Sequence, residues 1–76
     1  MVTVKRDGGV RIEVRSDHLP AHIHIVSANT DVMIDLHTFA IIRGHGEAKE
    51  IASALDWAKA NHATLIAKWS DINGRG

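Results

Sequence analysis

Three histidines, His18, His22 and His24, fall within seven positions of a chain that holds six in all. The segment His22-Ile23-His24-Ile25-Val26 alternates imidazole with branched apolar side chains. In a strand, successive side chains point to opposite faces, so His22 and His24 share one face and Ile23 and Ile25 share the other. Imidazole titrates near neutral pH and can pass protons there. A carboxylate bonded to one ring nitrogen fixes the tautomer and makes the other nitrogen more basic. Asp35 is the candidate carboxylate, which makes His22, His24 and Asp35 the candidate catalytic set. Arg11 and Arg15 lie on the polar face of an earlier strand and are the candidate contacts to a substrate phosphate. His18, His22 and His24 are also a candidate metal set: two ligands at alternate strand positions and a third from the preceding loop. Three protein ligands with an open position is the pattern of catalytic zinc. A polar strand face with no chemistry of its own is the third reading of the same residues.

These residues must be positioned by strands. Val2 and Val4 alternate with polar residues, as do Val10, Ile12 and Val14, around Asp7-Gly8-Gly9. That is the pattern of a half-buried hairpin. A three-residue loop with a bulge places Val4 opposite Ile12 and Val2 opposite Val14. Pro20 cannot donate to a ladder, so the third strand starts after it, at 22–26. The turn Ser27 to Thr30 returns the chain as 31–36, with Val32, Ile34 and Leu36 on one side. Keeping the apolar sets together puts Ile23 opposite Ile34, His24 opposite Met33 and His22 opposite Asp35, since a one-residue slip would flip every side chain. A second register brings Asp35 to His24 and His37 to His22. Phe39 to Ile42 reads as a short further strand.

Past Gly44-His45-Gly46 the period changes. Ala48, Ile51, Ala52, Leu55 and Ala58 recur at helical steps, and Leu65, Ile66, Trp69 and Ile72 repeat them after a break at Asn61. Gly74 is a natural stop, and Asn73 to Gly76 are expected to fray. Strands followed by segregated helices predict an α+β fold: a four- or five-stranded antiparallel sheet, then two C-terminal helices packed on one face. The expected organisation is a single domain over 1–76, with strands over about 2–42 and helices over about 47–72.

Composition bounds the function. The chain has 76 residues, 45% apolar and 24% charged, with 9 Lys+Arg against 9 Asp+Glu. A domain this small buries only roughly 60% of the surface its unfolded chain exposes, so a homodimer or a bound divalent ion such as zinc would add stability. With no cysteine, disulfides and thiolate zinc sites are excluded. No apolar run approaches the ~18 residues of a membrane span, and the first residues lack a signal-peptide core. The expected setting is cytoplasmic, with no membrane partner. A zero net charge gives no electrostatic footprint for a nucleic acid.

The stretch Asp17-His18-Leu19-Pro20-Ala21-His22-Ile23-His24-Ile25 resembles the signature of a small prokaryotic family, domain of unknown function 4160, with its H-x-P-x-H-x-H core. Val32-Met33-Ile34-Asp35-Leu36 is similar to that family's second strand. Leu55-Asp56-Trp57-Ala58, Leu65-Ile66 and Trp69 are similar to its C-terminal helices. The likeness spans about residues 10–72. The chain departs from the pattern at Ala21, Ile23 and His45-Gly46. On identity, His18, Pro20, His22, His24 and Asp35 carry the resemblance. Genes of that family often neighbour a second small family in a toxin–antitoxin-like arrangement. The resemblance therefore implies a module with a cognate partner protein from a neighbouring gene. RNA is the candidate substrate for the His/Asp patch. The alternatives are a non-catalytic protein-binding module and a histidine-based metal-binding domain.

Overall fold

A computed structural model describes residues 2–18 and 20–74. Five strands come first: β1 (Val2–Asp7), β2 (Val10–Val14), β3 (His22–Val26), β4 (Asp31–Asp35) and β5 (Ile41–His45). Two helices follow, α1 (Ala48–Ala60) and α2 (His62–Asn73). The strands form one antiparallel sheet in the order β1-β2-β3-β4-β5, so each pairs with its neighbour in sequence. The helices cover one face, as the change of hydrophobic period predicts. Ile12, Val14, Ile23, Ile25, Val32 and Ile34 form the core on that side with Ala54, Ala58, Leu65 and Trp69. No helix among the described residues is long and apolar enough to cross a membrane.

The β3–β4 register is the first of the two expected, with His22 opposite Asp35, His24 opposite Met33 and Ile25 opposite Val32. The first hairpin is built differently from the expectation. Asp7 pairs with Val10, which leaves a two-residue turn of Gly8 and Gly9, with φ of 54° and 87°. Positive φ at both positions is the turn whose twist suits paired strands, and glycine adopts it without steric cost. The bulge lies inside β1, between Thr3 and Lys5, so Lys5 rather than Val4 stands opposite Ile12. Beyond the bulge Val2 meets Val14 as predicted.

β5 also begins later than Phe39. The Phe39 amide donates to the Asp35 carbonyl at 2.8 Å, and Phe39 itself has a φ of 60°. The chain is still turning there, so the strand runs over Ile41–His45 and takes in Arg43, Gly44 and His45, beyond the expected end at Ile42. In α1 the covered face is Ala54 and Ala58, with Ile51, Leu55 and Trp57 half-buried, while Ala48 and Ala52 are exposed. Asn61 joins the helices, and its side-chain amide donates to the Trp57 carbonyl at 2.9 Å. Gly74 closes α2 in the left-handed conformation. Asn73 is not frayed, because its side chain is bonded on both ends to the segment after β2. Residues 75–76, also expected to fray, lie outside the described residues.

Candidate functional site

The connection from β2 to β3 and the first residues of β3 form the site. Asp17 divides its two carboxylate oxygens between structure and site. Its Oδ1 accepts the His18 amide at 2.8 Å, which fixes the carboxylate plane. Its Oδ2 faces the Nε2 atoms of His22 at 3.1 Å and His24 at 3.8 Å. The His18 amide, and then His22, hold the Asp17 carboxyl below its ordinary value, so it is ionised at neutral pH. From the far end of the chain, Asn73 Oδ1 accepts the Asp17 amide at 2.8 Å, and Asn73 Nδ2 donates to the Arg15 carbonyl at 3.2 Å. The last turn of α2 thus pins both ends of the dipeptide step into the site.

His22 is 2% exposed, with its ring centroid 4.8 Å from that of Trp69. Its Nδ1 donates to the Pro20 carbonyl at 2.7 Å. A carbonyl only accepts, so the proton of a neutral His22 sits on Nδ1 and Nε2 presents a lone pair. That lone pair points at a carboxylate oxygen. Two acceptors at 3.1 Å need a proton or a cation between them. His24 is 6% exposed, and its Nε2 has no hydrogen-bond partner. Burial, then Arg15 and His22, push the His24 pKa below the ordinary imidazole value, so the ring is neutral at pH 7. One donor atom each from Asp17, His22 and His24 lies within 4.8 Å of the others.

Around this cluster the helix-free face of the sheet is a charged surface. Glu13, His24, Met33 and Arg43 form one row across four strands. A groove of about 340 Å³ runs along it, lined by Arg15, Asp17, His24, Asp31, Met33 and Arg43. Glu13 is 2% exposed beneath two guanidiniums, Arg11 at 3.0 Å and Arg15 at 2.9 Å. Burial raises the Glu13 carboxyl, but the hydrogen bonds from Arg15 and Arg11 outweigh it and leave the group below its usual range. A second cavity, of about 200 Å³, lies between the first hairpin and α1, lined by residues such as Val10, Ile12 and Ala54, and contains no histidine.

The structure brings His22 and His24 together as the strand alternation requires. Asp35 stands opposite His22 in the ladder, but its carboxylate is used elsewhere. Asp35 Oδ1 accepts the amides of His37 at 2.6 Å and Thr38 at 3.1 Å. Short acidic side chains readily capture amides two and three residues on, and here that turn outcompetes the cross-strand histidine. Those amides, His37 first, hold the Asp35 carboxyl below its ordinary value. The carboxylate at the imidazoles is Asp17 instead. His18 is exposed and stands outside the converging donors, so the three-imidazole set of the sequence becomes two imidazoles and a carboxylate. Arg11 and Arg15 share a face as expected, and both are turned onto Glu13. His62 Nε2 donates to the Leu36 carbonyl at 2.6 Å and so ties α2 to the end of β4. Sequence reasoning misses Asp17, whose only signal is an acid five residues before His22. Asn73 carries no sequence signal, because its bonds reach across 56 residues.

No curated protein and no solved structure matches the chain significantly. A family model described as Domain of unknown function (DUF4160) matches residues 9–70. That span holds every strand from β2 onward, the Asp17, His22 and His24 cluster, and most of both helices. The matched span agrees with the resemblance expected over about residues 10–72 and covers most of the chain, and on that extent the chain belongs to the DUF4160 family.

Proposed function

We propose that this domain is a small metal-binding module in which Asp17, His22 and His24 hold a divalent ion such as zinc, with part of its coordination shell open to the groove. The convergence of their three donor atoms within 4.8 Å carries this reading. A tetrahedral zinc site with bonds of ~2 Å separates its ligands by roughly 3.3 Å. The two separations from Asp17 Oδ2, 3.1 and 3.8 Å, lie on either side of that spacing. A bound cation would satisfy the facing acceptors of His22 and Asp17 and the buried, unpartnered Nε2 of His24. The Pro20 carbonyl on His22 Nδ1 is the outer partner that metal-bound imidazoles commonly have, fixing tautomer and ring plane. Two imidazoles and one carboxylate is a donor set of open zinc and non-haem iron sites.

Protein purified without an affinity tag, stripped with chelator and titrated with Co²⁺ should bind one equivalent and develop a visible spectrum. Metal analysis after Zn²⁺ loading should agree. His24→Ala and Asp17→Ala should lose the ion, and His18→Ala should keep it. Sub-stoichiometric metal, unchanged in the variants, refutes the reading.

A second reading keeps acid–base chemistry on RNA, in a toxin–antitoxin-like module. It is favoured by the neutral, buried His24 in a groove that Arg43 also lines. His24, whose Nε2 has no hydrogen-bond partner, would carry the proton, and Asp17 would orient His22 in the role first given to Asp35. Total RNA at neutral pH in chelator tests it: cleavage by wild type equal to that by the His22→Ala/His24→Ala double variant ends it.

A further inference from the structure

We infer that the groove beside Asp17, His22 and His24 takes a small oxyanion, a phosphate or phosphate monoester, and takes it only when the divalent ion is in place. This deepens the metal reading and rests on it. The charge balance of the groove is the first argument. Arg11, Arg15 and Arg43 are offset by Glu13, Asp17 and Asp31 along this face, so the surface has no net attraction for an anion. A divalent ion on Asp17 turns that balance positive where the groove is deepest in donors.

The second argument is Arg43. It is exposed, and among the described residues no carboxylate lies within ion-pair distance of it. It stands opposite Met33, which stands opposite His24, so it shares the face and the row of His24. A planar guanidinium is suited to two oxygens of one phosphate. The ion at one end of the row and Arg43 at the other would hold a single anion from both sides, with Met33 as an apolar floor between them.

Size and charge argue for a small ligand over a polyanion. A groove of about 340 Å³ suits a compact metabolite. A nucleic acid would need a wider basic surface, and the chain carries 9 Lys+Arg against 9 Asp+Glu.

The test uses the full chain with Co²⁺ and inorganic phosphate. The cobalt spectrum first reports whether the ion is bound. ³¹P relaxation then reports whether phosphate approaches it, since a paramagnetic ion broadens only nearby phosphorus. Broadening beyond that from free Co²⁺, absent for the metal-free chain, is the expected result. Arg43→Gln should keep the cobalt spectrum and weaken phosphate about tenfold or more, while Arg6→Gln on the opposite edge strand should change neither. A normal cobalt spectrum without phosphate broadening, or phosphate bound equally with and without metal, overturns the inference and leaves the metal site standing. Failure to take up cobalt overturns both. A single-stranded oligoribonucleotide that displaces phosphate with a steep salt dependence overturns the small-ligand assignment in favour of a polyanion.

Discussion

Replacing Asn73 with alanine should damage the site without touching any donor atom. In the native chain its side chain accepts the Asp17 amide at 2.8 Å and donates to the Arg15 carbonyl at 3.2 Å. These two bonds are the long-range ones; a third, to the Trp69 carbonyl, lies within α2. At about 0.5–1.5 kcal/mol for each long-range bond, the variant should lose about 1–3 kcal/mol of stability. For a domain of this size that lowers Tm by roughly 5–20 °C. Metal affinity should fall independently. Loss of an outer-shell partner typically costs about 10–100-fold, and here the loosened residue carries one of the three donors. Urea titration of the metal-free chain gives the stability change, and Co²⁺ titration under conditions where the variant is fully folded gives the affinity change. Asn73→Asp separates the two contacts, because it keeps an acceptor for the Asp17 amide and loses the donor to Arg15. Its Co²⁺ affinity should lie between those of wild type and the alanine variant. A folded Asn73→Ala chain that binds Co²⁺ with native affinity would refute the claim that α2 positions Asp17.

Ile34 has no exposed surface, and Ile34→Ala should cost about 3–5 kcal/mol in urea. Leu55 is only half-buried, so Leu55→Ala should cost less, about 1–2 kcal/mol; equal losses would contradict the packing. Gly44 has a φ of 90°, and a Cβ there would overlap the Asp31 carbonyl. Gly44→Ala should therefore cost at least about 2 kcal/mol and deprotect β5 amides in hydrogen exchange, whereas Gly74→Ala, with open space around it, should cost about 1 kcal/mol. Asp35 and Glu50 both have carboxyls held below their ordinary values, Asp35 by the His37 and Thr38 amides and Glu50 by the Thr30 and Ser27 hydroxyls. The unfolded chain binds protons more readily at both, so their contribution is present above pH ~4.5 and lost as pH falls through the lower folded values. Asp35→Asn with Glu50→Gln should flatten the acid limb of urea midpoints measured from pH 5 to 3, and an unchanged limb would exclude these groups as its source.

Much of the sheet could be read from alternation alone. Ile23, Ile25, Val32 and Ile34 admit few pairings that keep a common apolar face, and a four-residue polar turn selects the observed one. The first hairpin misled the reading because two effects offset each other. A shorter Gly8-Gly9 turn moves the ladder one way and the bulge in β1 moves it back, so Val2 meets Val14 by a different route. β5 starts late because a phenylalanine adopts positive φ, a rare choice that no local pattern announces. At the site, the two imidazoles follow from strand geometry. Which carboxylate joins them does not, since Asp17 and Asp35 both accept adjacent amides through Oδ1 and only the folded path of the β2–β3 connection turns Asp17 Oδ2 toward the rings. Asn73 was beyond reach, because only the docking of α2 brings it to residue 17.

The meander order of the sheet bears on how the protein comes into being on the ribosome. Each strand after the first finds a partner in the strand made just before it, across a connection of two to seven residues, so the ribbon can close progressively with small losses of loop entropy. The three donors emerge early, within one short stretch between 17 and 24. The side chain that supports them, Asn73, follows Asp17 by 56 residues. A chain still under translation would thus display its imidazoles for some time before Asn73 could fix Asp17 beside them.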